Sequence, residues 1–213
     1  MTVASPARHS ATVFVNPLTA GPVVLVAAVG EADGSRGAAA ALACAGAEVD
    51  VATLLIDVGG REPRPTLIAS AAAQGLEQRL RAHLPEARVA ARGQICHLAV
   101  QADEEGIDAT AAAIDVARGS LAVVHLPPSL LQAALAGSAL RPTGVLLRAD
   151  LPSDRALVAL AARDLIEQGL AVGVLKRRLG WVAERRALFG VLPAGSPGGL
   201  PERLVRRLCG GRR

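Results

Sequence analysis

A chain of 213 residues and 21.7 kDa suits one α/β domain with a substantial core and gives no sign of a second. Aromatic residues are 1% of it, so the core must be built from Ala, Val, Leu and Ile, and nucleobases find almost nothing to stack on. The net charge of +4 and pI near 9.7 allow contact with anionic lipid or nucleic acid, but the charge is spread along the chain and is a weak nucleic-acid signal.

Residues 1–20 read as a flexible tail, without the basic start and long apolar run of a signal peptide. Residues 23–29 form a continuous apolar run, the pattern of a strand buried on both faces. Residues 30–37, Gly-Glu-Ala-Asp-Gly-Ser-Arg-Gly, predict a tight glycine turn. A helix over 38–45 follows, with Gly46 as its stop, then a strand over 49–56 closed by a turn at Asp57-Val58-Gly59-Gly60. A strand running through glycines into a helix start is also the geometry that offers backbone N–H groups to a phosphate.

Beyond a proline-bearing link at 61–65, residues 67–73 and 76–84 are helical candidates joined at Gly75. Strands are predicted at 88–91 and 95–100, an acidic loop at 101–106, a helix at 107–118 and a strand at 121–124 leading into His125-Leu126-Pro127-Pro128. A helix over 129–135 and a strand over 144–147 come next. Ser153 reads as the N-cap of a helix whose buried face is Leu157, Leu160, Ala161 and Leu165, and Gly169 ends it. Strands at 170–175 and 189–192 flank a short helix or loop at 181–188 containing Trp181, and a linker at 195–199 leads to a terminal helix at 201–209.

Strands alternating with helices predict an α/β fold: a doubly wound, mostly parallel sheet with helices on both faces and right-handed crossovers. The expected division is a tail over 1–20, the sheet domain over 21–193, and a linker with a basic tail over 194–213. Strand 23–29 is expected at the centre, flanked by strands 121–124 and 49–56. Ligands of such sheets sit at the carboxyl ends of the strands, where residues 30–37, Asp57 and His125 converge. Cys44, Cys96 and Cys209 form no C-x-x-C pair, and the four histidines have no metal-ligand spacing, so a zinc site or disulfide framework is not expected and a reducing cytoplasm is.

With these segments in order, the chain resembles the MinD/ParA family of deviant Walker-A P-loop ATPases, including its pilus-associated CpaE/TadZ branch. Gly34-Ser35-Arg36-Gly37 leading to Leu42-Ala43 is similar to the family's glycine loop and helix. Leu54-Leu55-Ile56-Asp57 with Arg64-Pro65 resembles its second strand, and Val123-Val124-His125-Leu126-Pro127-Pro128 its Walker-B strand. Segments 144–153 and 173–175, and Gly190-Val191-Leu192-Pro193, resemble its later strands, so the likeness runs from about Gly21 to Pro193.

The departures from that pattern fall on the chemistry. Ser35 stands at the lysine position, Arg36 at the position of the metal-binding hydroxyl, and the loop is one residue short. His125 replaces the Walker-B aspartate, and a neutral imidazole is a poor ligand for Mg²⁺. Asp57 remains of an acidic pair, with Gly59 in the second place, and Lys176, the only lysine, falls at the base-reading asparagine position. The resemblance therefore implies a vestigial nucleotide site of Gly30, Gly34, Ser35, Arg36, Gly37, Asp57 and His125, with no catalytic residue, metal or cofactor expected. The implied function is a binding or localisation scaffold in pilus assembly or polar or septal positioning, with protein partners and a homodimer among its assemblies.

Two other classes stay open. One is a working ATPase of the same family with non-standard ligands, taking ATP and Mg²⁺. The other is a dinucleotide-binding Rossmann enzyme, because Asp57 lies twenty residues after Gly37 at a strand end, although the glycines are spaced G-x-x-x-G-x-x-G. Each site residue also has a plainer reading: the glycines as a tight turn, Arg36 as a solvated first-turn arginine, Asp57 as a turn-capping acid and His125 as a packed strand-end histidine. At the C-terminus, Leu204, Val205 and Leu208 make an apolar stripe beside Arg203, Arg206 and Arg207. It resembles the short basic helix with which MinD proteins touch the inner membrane, which implies peripheral contact with anionic lipid; packing on the domain would bury the stripe equally well.

Overall fold

A computed structural model of the chain describes residues 21–29, 34–48, 51–63, 68–136, 140–149, 151–176 and 192–193. The elements are β1 (Val23–Val29), α1 (Ser35–Glu48), β2 (Thr53–Val58), α2 (Ala71–His83), β3 (Arg88–Arg92), β4 (Ile95–Val100), α3 (Glu104–Val116), β5 (Leu121–Leu126), α4 (Leu131–Ala136), β6 (Gly144–Ala149), α5 (Arg155–Glu167), β7 (Val172–Lys176) and β8 (Leu192–Pro193). Among the described residues eight strands make one sheet, ordered β3-β4-β2-β5-β1-β6-β7-β8. Of the pairings among the described residues only β3–β4 is antiparallel, so the expected doubly wound, mostly parallel α/β sheet is what the chain forms.

The sheet is covered on both faces, which is why its central strands are apolar without alternation. On one face Leu25, Leu54, Ile56, Leu98, Val124 and Leu147 pack with Leu76 and Leu80 of α2, Ile107 of α3, and Val158 and Leu165 of α5. On the other, Val24, Val26, Leu55, Val123 and Leu146 pack with Ala39, Leu42 and Ala43 of α1. The alanine-rich face of α1 lets it lie close on the sheet. A Cβ on Gly46 would stand 2.6 Å from Thr53 Oγ1 and 2.8 Å from Leu121 Cδ2, so this glycine serves helix-to-sheet approach rather than ending the helix as expected.

Strand β1 is interior, as expected, but its neighbours are β5 and β6. The expectation that the 49–56 strand flanks it fails: α1 carries the chain across β5, which pairs with both β1 and β2. Helix α1 starts three residues before the predicted 38, so Ser35, Arg36 and Gly37 form its first turn instead of a loop. Strand β2 runs on through Asp57 and Val58, and the turn falls at Gly59, whose φ of +73° suits glycine.

The two helices predicted over 67–84 are one. Ser70 caps α2 by accepting the Ala73 N–H, and the helix passes through Gly75 because an interior glycine costs only about 1 kcal/mol. Helix α3 begins inside the predicted acidic loop, because Asp103 accepts the Gly106 N–H at 2.8 Å. Ser153 is not the N-cap of α5. It lies in a 3-10 turn, and Asp154, which precedes the helix, accepts the Leu151 N–H. The predicted buried face of α5 is rotated: Val158 and Leu165 are buried, whereas Leu157 and Leu160 are 53% and 59% exposed.

At the β3 edge, side chains of α2 take two outward backbone groups. Arg81 Nη2 donates to the Val89 carbonyl, and Glu77 Oε2 accepts the Ala91 N–H at 2.8 Å. A Glu77–Arg81 ion pair of 2.9 Å holds the two side chains together. No described helix is long and apolar enough to cross a membrane. The predicted elements at residues 181–188 and 201–209, with Trp181, Arg203, Leu204, Val205, Arg206, Arg207 and Leu208, lie outside the described residues, as does Gly30.

Candidate functional site

Parallel pairing puts Asp57 of β2 directly beside His125 of β5 in register. Two residues before them, Leu55 and Val123 face α1, and since side chains alternate along a strand, Asp57 and His125 point the same way. The first turn of α1 lies over this position. Ser35 Oγ is 3.0 Å from His125 Nε2, and His125 Nδ1 is 2.8 Å from Asp57 Oδ1. Arg36 Nε lies 3.0 Å from both Asp57 oxygens, and its Nη2 donates to the Gly59 carbonyl.

Ser35, His125 and Asp57 are buried, at 0%, 1% and 5% exposure, while the Arg36 side chain is half exposed. Burial by itself would raise the Asp57 pKa, but the hydrogen bonds from His125 and Arg36, and their charges, outweigh it and hold the carboxyl below its ordinary 3.8. A carboxylate opposite Nδ1 can only accept, so Nδ1 carries a hydrogen, and in the neutral ring Ser35 then donates to Nε2. His97 on the same face of β4 has a buried Nε2 with no hydrogen-bond partner among the described residues. Burial holds its pKa below 6.5.

Two glycines make room for the cluster. A Cβ on Gly60 would stand 2.3 Å from the Asp57 carboxyl, and one on Gly34 would stand 2.4 Å from the Arg148 guanidinium. A Cβ on Gly37 would meet nothing within 4 Å, so no close approach requires that glycine. The structure thus brings Gly34, Ser35, Arg36, Asp57 and His125 together and adds Arg148, which the sequence reading missed. Its signal was available: an arginine at the carboxyl end of an apolar strand, Val145-Leu146-Leu147-Arg148.

The order hydroxyl, imidazole, carboxylate is that of a nucleophilic triad. Here, however, the hydroxyl is wholly enclosed between helix and sheet, so no substrate carbonyl reaches it, and the chain of bonds ties α1 to β5 and β2. These residues do not fit a Mg²⁺-nucleotide. Both Asp57 oxygens are taken by Arg36 and His125, an imidazole is a poor ligand for Mg²⁺, and Ser35 is turned inward to that imidazole. In the described residues no group of three His, Cys, Asp or Glu side chains is placed to hold a metal ion.

No family model matches the chain, and no curated protein does. Among solved structures it is similar to the MinC:MinD cell division protein complex of Aquifex aeolicus, with 16% identity over 76% of this chain and 70% of that one and a TM-score of 0.53. It is also similar to a plasmid partition protein of Borrelia burgdorferi, at 14% identity, 89% and 97% coverage and a TM-score of 0.52. A ParA family ATPase of Chlorobium tepidum matches at 16% identity, 75% coverage of each chain and a TM-score of 0.50. Identities this low speak for the fold alone, which is that of the MinD/ParA P-loop ATPases.

Proposed function

We propose that this protein is a pseudo-ATPase of MinD/ParA fold that works by binding another protein, as a scaffold in a CpaE/TadZ-like pilus-assembly or polar or septal positioning system. The observation that carries the reading is the closed chain Ser35–His125–Asp57–Arg36 at the corner where this fold binds nucleotide. Phosphoryl transfer on a P-loop depends on lysine, Mg²⁺ and oriented amides. Removing one such group costs about 10²–10³ in rate, so absence of the lysine, the metal-binding hydroxyl and the carboxylate leaves essentially no turnover. A rigid sheet with no metal chemistry of its own remains useful as a contact surface. The MinC:MinD complex shows that one protein of this fold is assembled with a partner. We place the protein in the cytoplasm, working as monomer or homodimer, with residues 203–208 as the segment for peripheral contact with anionic membrane.

One observation favours the alternative of an active enzyme with unusual ligands: Arg148 lies over Gly34, where its guanidinium stands as a cation beside the glycine loop. Turnover of ATP by the purified protein with Mg²⁺, measured beside Asp57→Asn, separates the two. The scaffold reading expects no turnover above background in either protein. Steady hydrolysis lost in Asp57→Asn would overturn it. Thermal shifts with ATP and with NAD complete the test, an NAD-only shift pointing to a dinucleotide-binding enzyme instead.

A further inference from the structure

A cleft of about 720 Å³ opens at the carboxyl end of β2 and β4, between the α2–β3 turn and the first turn of α3. Gly59 and Gly60, which adjoin Asp57, form part of its wall. The volume lies within the 300–1,000 Å³ of ordinary ligand clefts. Its floor is apolar, from Leu84, Leu98 and Val100, and its rim is acidic, from Glu86, Asp103 and Glu105. Opposing these carboxylates are Arg88 and His83, and the His83 ring is already engaged with the Arg79 carbonyl of its own helix.

The rim is net negative, with three carboxylates to one arginine, and so disfavours anions. Asp103 uses its carboxylate to occupy the α3 N-terminal amide at Gly106, and Glu104 and Glu105 add negative charge to the same turn. Phosphates of nucleic acid or lipid headgroups would meet this charge at close range. Glu86 and Glu105 are exposed and make no ion pair among the described residues. An apolar floor under a carboxylate rim matches a long cationic side chain, whose methylene stem covers the floor while its head reaches the rim.

We propose that this cleft is the docking site for a basic segment of a protein partner, with an arginine or lysine stem over Leu84 and Val100 and its cation against Glu86 and Glu105. The proposal rests on the protein-binding reading above and names the surface and charge of the partner. It also agrees with the β3 edge, where α2 side chains already take the Val89 carbonyl and the Ala91 N–H and so favour side-chain capture over strand addition at this end of the sheet.

The test uses the full chain, ¹⁵N-labelled, titrated with the peptide acetyl-Ala-Arg-Ala-Arg-Ala-amide and with its citrulline counterpart, which keeps the shape and lacks the charge. The arginine peptide is expected to give saturable shifts at Ala87, Ala102 and Gly106, and to bind the Glu86→Gln/Glu105→Gln variant at least about threefold more weakly, as expected for two rim charges. Both glutamates are exposed, so the variant is expected to keep the wild-type melting temperature. Equal binding of the two peptides, equal binding to both proteins, or shifts confined to another surface would each overturn the proposal. ATP turnover is read separately and does not depend on Glu86 or Glu105, so failure of the cleft and failure of the scaffold reading are distinguishable.

Discussion

Substituting Asp57 by alanine tests whether the buried chain of bonds is a structural tie. It leaves the His125 Nδ1–H without its acceptor in a site where the ring is 1% exposed. An unsatisfied buried donor costs about 1–3 kcal/mol. Arg36 loses its partner too, but half of its side chain is in water, so solvent replaces that bond at a cost of about 0–1 kcal/mol. Together these give a loss of about 1–4 kcal/mol, or a melting temperature lower by roughly 2–16 °C for a domain of this size. Asp57→Asn keeps an oxygen facing Nδ1, loses the charge and turns an NH2 donor toward Arg36 Nε, which is half exposed and can turn to water, so it should cost about 1 kcal/mol. Urea unfolding at pH 7 with an unchanged m-value reads both. If the two variants cost the same, or both lie within about 0.5 kcal/mol of wild type, the tie is not what holds α1 to the strands.

The depressed pKa of Asp57 makes its contribution full above the unfolded value of 3.8 and lost as pH falls through the lower folded value; acid titration of stability should show this slope in wild type and not in Asp57→Asn. For His97 the folded ring takes a proton less readily than the unfolded one, so its share of stability is full above pH 6.5 and declines below it. His97→Leu should flatten that window and, by removing an unpaired buried nitrogen, leave stability at pH 7 equal or higher in the same urea assay. Gly46→Ala should destabilise by about 1–3 kcal/mol through its contacts with Thr53 and Leu121. Gly75→Ala, with open space around it in α2, should stabilise by about 0.5–1 kcal/mol, and equal melting temperatures for these two variants would contradict the packing described.

The strands were legible because strands covered on both faces are continuously apolar, as β1 is along its length and β5 is up to His125. Helix starts were misplaced where a local cap decided them: Ser70 and Asp103 act through single side-chain bonds that a search for apolar periodicity passes over. The buried face of α5 was misread because Leu157 and Leu160 satisfy helical spacing as well as Val158 does, and only the position of the sheet chooses between them. At the site, residue types and order were readable, but the pairing of Asp57 with His125 was not. It arises from the insertion of β5 between β1 and β2, a non-local arrangement that neither run encodes by itself.

The Glu77–Arg81 pair of α2 bears on how the molecule behaves when crowded. A terminal strand with free N–H and C=O groups is a template on which any extended chain, including another copy, can add a further strand. Here the outward Val89 carbonyl and Ala91 N–H are taken by two charged side chains of the same helix, so a newcomer would have to displace an ion pair to pair with them. For a protein whose proposed work is to gather others at one place in the cell, that seal keeps association selective: contacts at this end are decided by side-chain recognition, and unspecific stacking of sheets is suppressed at high local concentration.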